Sequence, residues 1–199
     1  MSEKSEQKKQ FIVDTARGVF AEKGYKNVTM KDIVDACGIS RGGLYLYFSS
    51  TQELFLEVLG AEVTDSGESG EMEELFRGDA FAADILALFL KEQKKELFRR
   101  KNNLTIAVYE YFFAHKVPKK DHPLKKRFDM AVRIVEKLIE TGTENGEFYC
   151  EDAKGAARNI MYVLEGLKIA SQTRGITEET VDREILYIMQ GLIIETGEE

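Results

Sequence analysis

The chain has no tryptophan, two prolines and two cysteines in 199 residues. Proline lacks an N–H and clashes with the preceding turn, so its scarcity leaves long helices uninterrupted. Cys37 and Cys150 stand far apart and make no disulfide framework, which makes a reducing cytoplasm the simplest location. No run approaches the ~18 apolar residues of a membrane span, so a membrane is not an expected partner. Met1 to Gln10 lacks the apolar stretch of a secretory signal. Glycine-rich phosphate loops, zinc-ligand spacings and a Ser/His/Asp triad are also missing. Three residues before His115 stands Phe112, and three before His122 stands Lys119, so neither histidine completes the Glu-x-x-His motif of a di-iron bundle. No metal or other cofactor is expected, and a helical-bundle enzyme is a remote reading.

What the chain does contain is helix-forming: Ala, Leu, Glu, Lys, Met and Gln dominate. A hydrophobic share of 43% is ample for a core. Strand-like alternation is hard to find, so the fold class read here is all-α. The net charge of -7 is unevenly spread. Residues 1–50 carry eight Lys/Arg against six Asp/Glu, while the remainder is strongly acidic. A polyanionic partner would therefore meet the N-terminal quarter, and only with modest non-specific attraction.

Hydrophobic spacing gives a first helix over 8–23, where Ile12, Ala16, Val19 and Phe20 form one stripe and Gly24 is a left-handed stop. Thr29 opens a second helix reaching about 36, and Thr29-x-x-Asp32 approximates a capping box. Ser40 caps a third helix over 41–47, and Ser49-Ser50-Thr51 precedes a fourth over 52–63. The polar, glycine-rich stretch 64–70 is the rough domain boundary. Five longer helices follow, over about 80–100, 103–116, 123–145, 152–174 and 178–196, giving about nine in all. The chain thus divides into a domain over 1–50, a connecting helix over about 51–64, and a domain over 65–199.

Residues Met30 to Tyr47 make a corner. Ile33, Cys37, Ile39 and Leu44 point into one small core, and Gly38 sits where the chain leaving the second helix turns left-handed. Helices joined this way pack nearly perpendicular and leave the second free to enter a major groove. Any tight corner in a helical bundle would look the same by periodicity alone, and Val34 is bulky for such a crossing.

The literal residues say more. Phe20, Gly24, Thr29, Ile33, Gly38, Ser40, Leu44, Tyr45 and Phe48, in a nearly gap-free stretch of about 50 residues, closely resemble the N-terminal domain of TetR-family transcriptional regulators. The resemblance implies a helix-turn-helix that binds double-stranded DNA. Leu44 and Phe48 should face inward. Ser40 and Arg41 should meet base edges, arginine donating bidentately to guanine. Tyr45, Tyr47 and Thr29 suit phosphate oxygens. Three residues depart from the family pattern: Gly43 replaces a Thr or Ser, Leu46 an aromatic, and Thr51 a phosphate-binding lysine. Gly42-Gly43 together cost roughly 2 kcal/mol of helix propensity, tolerable where bare backbone nears DNA. Arg41, Tyr45 and Leu46 should then dominate base readout, with Leu46 against a thymine methyl.

The resemblance also implies a homodimer built from the last two helices. Leu164 and Leu167 in one, and Ile185, Met189 and Leu192 in the other, extended by Ile193 and Ile194, are the candidate interface, with Gly155 and Gly166 allowing close approach. The same stripes could instead close the chain's own core. The middle helices would enclose a small apolar or cationic effector, with Phe89, Tyr109, Phe112, Phe113, Met161 and Glu165 as candidates. Glu110 and Glu165 meet a cation only if they point inward. The function implied is a ligand-responsive repressor of a palindromic operator; the alternative is a similar DNA-binding protein controlled by protein partners without a small effector.

Overall fold

In the computed structural model, residues 3–65, 80–99 and 102–192 are described, and every regular element among them is helical. The nine α-helices are α1 (Glu3–Lys23), α2 (Met30–Cys37), α3 (Arg41–Tyr45), α4 (Thr51–Asp65), α5 (Ala82–Phe98), α6 (Thr105–Ala114), α7 (Pro123–Glu144), α8 (Ala153–Thr173) and α9 (Glu178–Gln190), with a 3₁₀ turn at Lys119–Asp121. The all-α expectation is met. No described helix is long and apolar enough to cross a membrane. Ile193 and Ile194, and the predicted boundary beyond Asp65, lie outside the described residues.

Two compact units result. The first joins α1–α4 with α6; the second joins α5 with α7–α9. The first unit therefore does not stop at the connecting helix, since it takes in α6 from beyond it. Ile12, Ala16 and Phe20, one helical stripe, are fully buried, each large side chain contributing ~1.5–3 kcal/mol. Val13 completes this face, whereas Val19 is only half-buried. The rings of Phe20, Tyr25, Phe55 and Tyr111 interlock with centroids 4.7–5.3 Å apart between the successive pairs Phe20–Phe55, Tyr25–Phe55, Tyr25–Tyr111 and Phe55–Tyr111. These aromatics fasten α6 to α1 and α4. Beside them the Glu110 carboxylate accepts the Lys26 N–H at 3.0 Å and presses on Gly24, where a Cβ would lie 2.6 Å from Glu110 Oε2. Gly24 also has φ +75°, so both backbone and space require glycine there.

The second unit is cored by Leu86, Leu90, Val135, Leu138, Ile139 and Phe148, with Leu164 and Leu192 in the same cluster. Leu97, Leu167 and Val181 make a smaller one. Pro123 sits at the start of α7, where its missing N–H costs nothing. Asp152 and Thr177 cap α8 and α9 through the N–H groups of Gly155 (2.8 Å) and Thr180 (3.2 Å).

Candidate nucleic-acid interface

The corner begins with a complete capping box. Thr29 Oγ1 accepts the Asp32 N–H at 3.3 Å while the Asp32 carboxylate accepts the Thr29 N–H at 2.8 Å and the Thr29 hydroxyl at 2.5 Å. Lys23 Nζ completes the arrangement 2.6 Å from Asp32. Lys23 first, then the Thr29 hydroxyl and N–H, hold the Asp32 carboxyl far below the usual carboxylate range. The Thr29 hydroxyl is thus committed to Asp32, and the start of α2 already holds an anion where a phosphate was expected.

At the other end of α2, Gly38 takes φ 63°, ψ 31°, and the N–H groups of Gly38 and Ile39 close on the carbonyls of Asp35 and Val34. Two residues later Ser40 Oγ accepts the Gly43 N–H at 3.1 Å and starts α3. The glycine pair divides in role. A Cβ at Gly43 would sit 3.1 Å from the capping Ser40 Oγ, whereas one at Gly42 would meet nothing within 4 Å. Gly43 serves the cap; Gly42 is the bare position open to the outside.

Leu44 is fully buried and Phe48 nearly so, which anchors α3 and turns its other residues outward. Arg41 is exposed, with its Cζ 5.5 Å from the Tyr45 ring centroid, one helical turn on. The helix ends at Tyr45, two residues before the predicted boundary, and Leu46 is its C-cap, 83% exposed. Tyr47 is half-buried, its hydroxyl 3.5 Å from that of Ser5. Thr51 stands at the first turn of α4 beside a second set of cap hydrogen bonds: Glu53 accepts the Ser49 N–H at 2.7 Å and its hydroxyl at 2.6 Å, and Ser50 Oγ accepts the Glu53 N–H at 3.1 Å. Ser49 holds the Glu53 carboxyl below its ordinary value. Ser40, Arg41, Gly42, Gly43, Tyr45 and Leu46 therefore share one short segment, with Tyr47 and Thr51 following it. Ser5 was missed because the apolar stripe starts only at Ile12, although no Gly or Pro interrupts residues 3–10. Glu53 was legible as Ser50-x-x-Glu.

Comparison with known proteins decides the family. The profile described as "Bacterial regulatory proteins, tetR family" matches residues 12–58, and the one described as "Tetracyclin repressor-like, C-terminal domain" matches 85–182. The chain belongs to the TetR family. It is 34% identical over 143 residues to YfiR of Bacillus subtilis (strain 168), described as an uncharacterized HTH-type transcriptional regulator; the match spans 69% of this chain and 66% of YfiR, just under two thirds of that protein's length. A chain described as a transcriptional regulator from Saccharomonospora viridis, in complex with choline, shares its fold with TM-score 0.80 at 21% identity, over 96% of this chain and 100% of that one. A cysteine-substituted TetR-family CifR on a 26-bp operator duplex gives TM-score 0.68 at 18% identity, over 92% and 95% of the two chains. Like its family, this chain is a DNA-binding transcriptional regulator and not an enzyme.

The remaining candidates of this TetR-family chain fall as follows. Leu164, Leu167 and Leu192 are buried inside their own unit, and Ile185 and Met189 pack half-buried against the same core. The stripes close the chain's own core, because the periodicity that predicts a buried face does not say what buries it. Outward on α8 and α9 stand Tyr162, Leu186 and Tyr187. Gly155 lies against its own capping Asp152, whereas Gly166 has open space above it. Of the effector candidates, Tyr109, Phe112 and Phe113 lie on α6 of the first unit, and Phe89, Met161 and Glu165 in the second. Phe89 and Met161 pack on the core, Phe113 is 81% exposed, and Glu165 lines an open surface groove of about 610 Å³ with Tyr162, Arg174 and Glu184. Glu110 accepts the Lys26 N–H. No local signal marks that contact, which joins residues 84 positions apart.

Proposed function

We propose that this regulator is a ligand-responsive repressor that binds a palindromic operator as a homodimer. The observation that carries the DNA reading is the exposed Arg41 guanidinium at the start of α3, set over Tyr45 while Leu44 and Phe48 anchor the helix from behind. Thr29, Ser40, Gly42, Gly43, Leu46, Tyr47 and Thr51 flank it. The dimer face is better assigned to Tyr162, Leu186 and Tyr187 around the open Gly166 than to the inward leucines, because exposed aromatic and aliphatic side chains on adjacent helices are what a partner can cover.

The effector reading rests on α6. This helix carries Tyr109, Phe112 and Phe113, and also Glu110, which grips the α1–α2 turn. A ligand engaging those aromatics would act on the element that holds the DNA-binding unit. Choline in the Saccharomonospora viridis structure makes a cationic effector the first class to try; within the second unit, Glu165, Phe89 and Met161 are separate candidate contacts. Coupling of 1–3 kcal/mol would change DNA affinity about 5- to 150-fold.

Nuclease protection of the chain's own promoter region tests the core of this reading. A protected palindrome with half-sites one helical turn apart, ~34–36 Å, is the expected result. Protection no stronger than on random duplex refutes it. Titrating choline and long-chain quaternary ammonium compounds into the complex then tests responsiveness: a compound that raises the melting temperature yet releases no DNA counts against control by that ligand, and control by a protein partner becomes the reading to pursue.

A further inference from the structure

We propose that Lys4 and Lys8 form a basic ridge on α1 that grips the DNA backbone beside the recognition helix. The inference rests on α3 being that helix. Residues 3–11, the start of α1, precede the stretch matched by the family profile, which begins at residue 12.

The ridge follows from helix geometry. Lys4, Lys8, Phe11 and Thr15 stand at i, i+4, i+7 and i+11, one stripe on one face. At its inner end Thr15 meets the Cys37 thiol, at the end of α2 where the chain turns toward α3. At its outer end the next stripe is pinned: the Ser5 hydroxyl lies 3.5 Å from that of Tyr47, and Lys9 pairs with Glu57 with its ammonium 5.9 Å from the Phe48 ring centroid. These contacts fix the first two turns of α1 against the segment that follows α3. Lys4 and Lys8 share the face of α1 that Thr15 carries toward the turn, and Lys4 is next in sequence to the Ser5 that meets Tyr47.

Charge completes the argument. Lys9 and Lys23 are neutralised by Glu57 and Asp32, whereas Lys4 and Lys8 are exposed and have no acidic partner among the described residues. Glu6, two residues from each, points away from the stripe, and Glu3 flanks it. Two lysines at i, i+4 near a helix start repel each other and oppose the helix dipole, an arrangement that gains only when an anion lies across it. Their α-carbons are about 6 Å apart along the axis, so two long side chains can reach neighbouring phosphates of one strand. Thr51 brings no charge to the start of α4, so this ridge is the free cationic edge next to Tyr47.

The test is equilibrium binding of the full chain to its protected duplex and to random duplex between 50 and 200 mM salt. The double variant Lys4→Gln/Lys8→Gln should lower the log–log salt slope by ~1.8 per protomer, shrinking the salt-induced loss of affinity about twelvefold over that range. Both duplexes should change alike, because phosphates carry no sequence. The variant Lys4→Arg/Lys8→Arg should keep the wild-type slope. A wild-type slope in the glutamine variant overturns the ridge, as does a lowered slope in the arginine variant. Wild-type protein that selects no duplex at all overturns the reading of α3 instead, so the two failures are distinct.

Discussion

Replacing Arg41 by alanine separates recognition from folding. In the free protein the guanidinium touches little: it is exposed, and its nearest aromatic contact is the Tyr45 ring at 5.5 Å. An exposed cation–π contact contributes about 0.5–1 kcal/mol. For a chain of this size that lowers the melting temperature by at most about 4 °C. On DNA the same group is expected to donate bidentately to guanine, an interaction that discriminates by ~1–3 kcal/mol. Arg41→Ala should therefore weaken operator binding about 5- to 150-fold per half-site while leaving the fold intact. Arg41→Lys keeps the charge but not the fork, so it should recover affinity for random duplex and little of the preference for the operator. Fluorescence anisotropy on three duplexes, the operator, the operator with one guanine pair replaced, and a scrambled sequence, reads all of this. Equal losses on operator and scrambled duplex would show a phosphate contact and refute the assignment of Arg41 to base readout. So would an Arg41→Ala protein that still rejects the replaced guanine.

Two further predictions concern the frame that holds this helix. Gly24→Ala should cost about 2–4 kcal/mol in urea unfolding, from the left-handed backbone (~1–2 kcal/mol) and from displacing Glu110 off the Lys26 N–H. In the background Glu110→Ala the same substitution should cost only the backbone part, and additive losses would disprove the contact. Asp32 and Glu53 are held below their ordinary values by Lys23, Thr29 and Ser49, so their caps stabilise the fold above the ordinary carboxylate range and lose that contribution as pH falls below about 4. Asp32→Asn should melt lower than wild type at neutral pH, with the gap beginning to narrow as pH falls below about 4 and continuing to shrink below pH 3; a gap that stays constant with pH would refute the linkage.

Local chemistry was legible. The Thr29-x-x-Asp32 box, the left-handed Gly38, the Ser40 cap and the inward Leu44 each depend on residues within one or two turns, and each stands where spacing put it. What was lost needed longer range. A stripe such as Leu164 and Leu167 reports that a face is buried, and the same stripe serves a core or a partner; here α5, α7 and α9 cover it. The start of α1 was missed because polar helix formers give no periodic signal until Ile12, and its anchors, Tyr47 and Glu57, lie more than forty residues away. Adjacent Phe112 and Phe113 cannot face one way, and only the fold says that Phe113 is the outward one.

The charges on this face bear on how the protein finds its site. Asp32 and Glu53 stand at the starts of α2 and α4, the places where other helices would welcome a phosphate; a capping box fixes Asp32, and the Ser49 N–H and hydroxyl fix Glu53. Their donors serve the protein before DNA arrives. The rest of the chain is acidic, at net -7 overall. Long-range attraction to an arbitrary duplex is consequently weak, since that term scales with the number of phosphates neutralised. Affinity for the right sequence is then expected to fall on a few exposed side chains, Arg41, Tyr45 and Leu46 above all. A binder arranged this way gains its specificity ratio from a low non-specific background rather than from many base contacts. Adding lysines to the face should erode that ratio even as it tightens binding to every duplex.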